Sequence, residues 1–187
     1  MINYVKPLWL YFFGILVSSA STIFSGGVQT AIQLVGGILS IIALVQLAPR
    51  NFHLAKAKTY TIAIVVVSLV ILFGAFAFRT WLLALVAIGG AIAALVLAIL
   101  SVYHEAHGLA DMAKEAGDTG HAQKLRQFFT IYLIVSVASL FALVGPTLTT
   151  IVKIAGIALA AYQLYLVYTS IKIEEAYAAQ AWQSGQQ

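Results

Sequence analysis

The stretch Val35-Gly-Gly-Ile-Leu-Ser-Ile-Ile-Ala-Leu-Val-Gln-Leu47 decides how this chain is read. It is an apolar helix with a notch of small residues, and a similar helix returns as Ile88 to Leu100 and more loosely as Ile154 to Leu166. Superposing the three brings together Gly36-Gly37, Gly89-Gly90 and Ala155-Gly156, with Leu47, Leu100 and Leu166 each ten residues past the last glycine. An internal repeat follows. Its copies share one orientation, which sets it apart from the inverted repeats of many secondary transporters.

The rest of the composition agrees. Apolar residues make up 62% and charged residues 9% of the 187 residues, with a mean hydropathy of +0.99. Soluble domains are roughly half apolar and about a quarter charged. The chain is therefore expected in a bilayer, as a single domain over residues 1–187. Its apolar runs match the roughly 20 residues a helix needs to cross a hydrocarbon core, and they lack the alternation of membrane strands. The fold class expected is an all-α membrane protein with six transmembrane helices, at Leu8 to Phe24, Val28 to Ala48, Tyr60 to Phe78, Trp81 to Tyr103, Phe128 to Val144 and Leu148 to Ile171.

These spans group as three antiparallel hairpins. The links within them are tight-turn sequences, Ser25-Gly26-Gly27, Arg79-Thr80 and Gly145-Pro146-Thr147, and short links force neighbouring helices to lie antiparallel. The links between them, Pro49 to Thr59 and His104 to Gln127, are longer and polar. Lys6, Arg50, Lys56, Lys58, Lys114, Lys124, Arg126 and Lys172 fall on the side of the termini, against Arg79 and Lys153 on the other. By the positive-inside rule both termini are cytoplasmic, in a multi-pass protein of the cell membrane. The first apolar run, preceded by Lys6 alone, reads as a retained span and not as a cleaved signal.

The helix of the second hairpin is expected to outlast its span, because Ala106, Leu109, Ala113 and Ala116 continue at helical spacing past Tyr103. Gly117 is expected to end it, and Asp118 or Thr119 to cap the next. The six acids and four histidines are all assigned to the cytoplasmic side. With no acid or histidine inside a span, neither a proton relay nor histidine-ligated haem is expected.

The small-residue notches point to helix packing. In lipid, small residues four apart let backbones approach so that dispersion contacts accumulate. Gly36 and Ser40 form one such row, Gly90, Ala94 and Ala98 another, and Gly156 and Ala160 a third, with Gly37 and Gly89 beside them as further packing candidates. They serve either packing within the bundle or association with a membrane-protein partner or a second copy. His104, His107 and Asp111 share one helix face and are of ligand type for zinc-like metals, although the spacing is not that of a His-Glu-x-x-His site. A solvated polar face accounts for them, with His53 and His121 on neighbouring segments. Lys153 reads as snorkelling to the interface, and Gln29, Gln33, Gln46 and Gln163 as interhelical amides.

No phosphate loop, catalytic constellation or basic aromatic surface is present, so no enzyme, cofactor or nucleic-acid partner is expected. Leu34 to Leu44, with Ala57-Lys58-Thr59-Tyr60-Thr61-Ile62-Ala63 after a short basic link, resembles segments of small uncharacterised prokaryotic multi-spanning membrane proteins. The resemblance implies a membrane location and lipid contact, and no activity. The expected function is an accessory or scaffold subunit of a membrane assembly, with a transporter or channel for a neutral or apolar solute, lined by the amides and Tyr162, as the alternative.

Overall fold

In a computed structural model the described residues are 4–21, 24, 26–77, 81–141 and 146–184, and side chains are described for 4–21, 24, 28–29, 31–70, 88–141 and 147–183. The described residues form six helices and no other regular element: α1 (Val5–Ala20), α2 (Gly26–Leu47), α3 (Phe52–Ala77), α4 (Trp81–Glu115), α5 (Thr119–Phe141) and α6 (Pro146–Ser184). Four stretches within α3 to α6 are long and apolar enough to cross a membrane, at Phe52–Val70, Ile88–Glu115, Thr119–Phe141 and Thr147–Gln183, while α1 and the Ala31–Leu47 part of α2 are shorter apolar helices. The turn residues Ser25, Arg79, Thr80 and Gly145 lie outside the described residues.

Local chemistry sets the ends of these helices. Pro49 has no N–H and disfavours helix at the residue before it, so α2 stops at Leu47. Asn51 restarts the chain by accepting a hydrogen bond from the Leu54 N–H at 2.9 Å, the N-cap of α3. Between α4 and α5, Gly117 takes a φ of 87°. The Asp118 N–H donates to the Ala113 carbonyl at 2.9 Å and the Gly117 N–H to that of Lys114 at 3.0 Å, the paired bonds of a Schellman end. Asp118 then accepts from the His121 N–H at 2.8 Å and caps α5. The extension of α4 past Tyr103 to Glu115 is as expected, and the link read from Pro49 to Thr59 is mostly helix as well, because Leu54 and Ala57 keep helical spacing and have an apolar surface to cover.

Helix α1 packs along α2 and α6, α3 along α2 and α4, and α5 along α4 and α6, with a smaller contact between α4 and α6. The fully buried large side chains Leu8, Leu44, Leu47, Leu54, Leu166, Val167 and Ile171 belong to one end of the bundle. Tyr4, Arg50, Glu115 and Glu174 mark that same end: Arg50 lies over the Tyr4 ring and 2.7 Å from Glu115, with Glu174 close enough to feel both charges. Towards the other end apolar side chains are exposed on every side, among them Leu34, Ile38, Val66, Ile92, Ile134 and Ile154. That much exposed apolar surface is foreign to a water-soluble monomer. The core occupies one end, and the remainder presents an apolar coat.

Candidate functional site: a cavity floored by Glu105

Helix α4 runs on past Tyr103, and this places Glu105 inside the bundle. The helical stripe Ala98, Ser101, Val102, Glu105, Ala106 and Leu109 turns inward, and Ser101, Ala106 and Leu109 are buried. Glu105 goes in with them. The expectation that every acid lies outside the helical interior is therefore corrected. The signal was present in the sequence, since Glu105 shares a helical face with residues read as apolar contacts.

Burying a carboxylate is costly unless its oxygens receive hydrogen bonds. The Tyr11 hydroxyl of α1 donates to Glu105 Oε2 at 2.5 Å, and the Ser101 hydroxyl donates to Oε1 at 2.9 Å. With its own hydrogen given to Glu105, Ser101 Oγ accepts in turn from the Thr61 hydroxyl at 2.8 Å. One polar thread thus joins α3, α4 and α1. Gln163 of α6 lines the same cavity beside Tyr11 and Glu105. Among the described residues no Lys, Arg or His forms an ion pair with Glu105.

Tyr11, Glu105 and Gln163 form a partition. On one side they line an open cavity of about 270 Å³ completed by Ile15, Ser18, Ser19 and Ser40. On the other they roof a hollow of about 10 Å³ walled by core residues such as Leu109, Phe128 and Leu166. The small hollow holds at most about one water. The large one has room for a small solute. Glu105 is enclosed by protein yet keeps part of its surface accessible, consistent with a carboxylate facing the cavity.

The rim beside this cavity is the closest helix approach among the described glycines. A Cβ on Gly36 would collide with Ser18, and one on Gly14 would lie 2.8 Å from the Ser40 backbone nitrogen. Gly36 and Ser40 therefore face α1. By contrast, a Cβ on Gly37, Gly89 or Gly156 would meet nothing within 4 Å. Gly89 is exposed, while Gly90, Ala94, Ala98 and Ala160 are half-buried. The amides divide in the same way: Gln163 lines the cavity and Gln29 is half-buried, whereas Gln33 and Gln46 are exposed. Lys153 is exposed, and Tyr162 is half-buried against Phe128 and Tyr165.

The histidines gather elsewhere, on the α3–α4 face. His53 Nδ1 and His104 Nδ1 are 2.9 Å apart, and the His53 and His107 rings are 5.5 Å apart between centroids. His107 Nδ1 is 2.8 Å from the Tyr103 carbonyl, and Asp111 turns to Arg126 at 3.7 Å. His104, His107 and Asp111 are thus drawn to three different partners. Among the described residues no group of three or more such side chains is arranged to hold a metal ion. His121 sits apart, buried and 2.9 Å from Ser170 Oγ.

Comparison with protein-family models, curated proteins and solved structures finds no match to this chain.

Proposed function

We propose that this chain is an integral membrane protein that admits a small solute to the cavity above Glu105 and carries it across the bilayer. In this reading α1 to α6 all cross the membrane as three hairpins, with both termini and the packed end on the cytoplasmic side. The apolar coat then meets lipid, and the cavity faces away from the cytoplasm. The observation that carries the reading is the open cavity whose floor is a hydrogen-bonded carboxylate and whose far side is sealed by packed core. Polar and ionisable groups inside a membrane helix bundle are costly and mark solute pathways.

The chain has no cysteine, so a single introduced one reports on one place. Purified protein in liposomes is to be tested for flux of three planar solutes of similar size: guanidinium, urea and nitrate. Ser19→Cys should support flux of at least one of them, and a bulky thiol reagent should then block it. No flux of any of the three, or flux indifferent to the reagent, overturns the reading. Orientation is checked with an impermeant maleimide, which should reach Gln183→Cys only from the cytoplasm and Thr147→Cys only from outside.

A second reading, an accessory subunit of a membrane assembly, is supported by Gly37, Gly89 and Gly156, whose open flanks could receive a helix of another chain or copy. Mass spectrometry of the gently solubilised protein decides it. Recovery of a lone monomer counts against it.

A further inference from the structure

We infer that the solute is a compact organic cation bearing N–H donors, held against Glu105; this rests on the reading of the cavity as a solute site. The residues lining the cavity carry one ionisable acid, Glu105, and otherwise a phenol, three serine hydroxyls, an amide and an isoleucine. Among the described residues no Lys, Arg or His lines it. An anion would approach a carboxylate with nothing to balance it. A neutral solute would bring the carboxylate no opposite charge, whereas a cation brings one with the geometry that stabilises a partly buried acid.

The hydrogen bonds already present favour the same class. Each Glu105 oxygen takes one neutral donor, from Tyr11 and from Ser101. A carboxylate offers about four lone-pair sites, so acceptor capacity remains on both oxygens. Those two donors also hold the group in place from α1 and α4. Planar N–H forks and ammonium groups meet a fixed carboxylate with charge-assisted bonds, the stronger kind of hydrogen bond. The serine hydroxyls and the Gln163 carbonyl add neutral acceptors around it. A volume of about 270 Å³, just under the usual range for drug-sized ligands of about 300 to 1,000 Å³, suits a small solute.

Guanidinium, urea and nitrate are alike in size and planarity and differ in charge, nitrate also lacking N–H donors, and so they separate the two claims. The expected result is protein-dependent guanidinium flux that exceeds urea and nitrate flux. Glu105→Gln should lower guanidinium flux about tenfold or more, the loss expected when one charge-assisted contact is removed. Flux of urea or nitrate in place of guanidinium overturns the cation and leaves the solute site standing. Flux of none of the three overturns both. Should Glu105→Gln fail to fold, protection decides with Glu105 intact: guanidinium should slow alkylation of Ser19→Cys, and equimolar urea should not. Equal protection by urea overturns the cation, and equal protection by tetramethylammonium overturns the requirement for N–H donors.

Discussion

At the scale of single residues, the bundle turns on one acid and its neighbours. Glu105 keeps its place because Tyr11 and Ser101 supply donors, and removing one leaves a buried acceptor unsatisfied. Tyr11→Phe deletes the 2.5 Å bond while keeping the ring; it is expected to destabilise by about 1 to 3 kcal/mol, read as a lower thermal midpoint in detergent. An unchanged midpoint would show that the carboxylate does not depend on this donor. Gly36 gives a second contrast. Its missing Cβ lets α1 approach, so Gly36→Leu should separate the helices and cost about 1 to 3 kcal/mol or more, the range for overpacking. Gly37→Leu, into open space, should change the monomer's stability by about 0.5 kcal/mol or less. Equal effects at the two positions would remove the α1–α2 approach as the reason.

At the scale of elements, the join between α4 and α5 is the most fully specified. Gly117 is left-handed, with φ of 87°, a conformation that costs other L-residues roughly 1 to 2 kcal/mol. Gly117→Ala should therefore destabilise by about 1 kcal/mol, and Asp118→Ala by about 1 kcal/mol through the lost N-cap, both measured by thermal unfolding in detergent. The two residues serve the same turn, so the double variant is expected to fall short of the sum. These ends were legible in the sequence because a positive-φ glycine followed by a capping aspartate is a local device. The length of the helices was legible in part. The run of α4 to Glu115 followed from the spacing of Ala106, Leu109 and Ala113, whereas segment 52–59 looked like a polar link because its charges dominate, although Leu54 and Ala57 are buried and carry α3 onward.

At the scale of the whole molecule, one packed end and one apolar coat make a vessel closed at the bottom. Arg50 ties that end together: it lies over Tyr4, with Nη2 2.7 Å from Glu115 Oε2, although Nε and Nη2 find no well-directed hydrogen bond. Charge and packing, more than directed bonding, hold it there. Arg50→Ala is expected to loosen the closure, so that a cysteine at buried Leu109 is alkylated several-fold faster than in the parent. Equal reactivity would relieve Arg50 of any part in sealing the bundle. The sequence by itself determined that the chain is helical and apolar, where two of its helix ends fall, and which residues are small enough to notch a helix, because composition, periodicity and caps act over a few neighbouring residues. Which notch meets another helix, and which polar residues meet one another, was decided only by the tertiary structure. Gly36 and Gly37 are adjacent and identical in type, yet one faces Ser18 and the other open space. Tyr11 and Glu105 are 94 residues apart, and only the packing of the whole bundle brings a phenol on α1 to a carboxylate on α4 and makes a site of them.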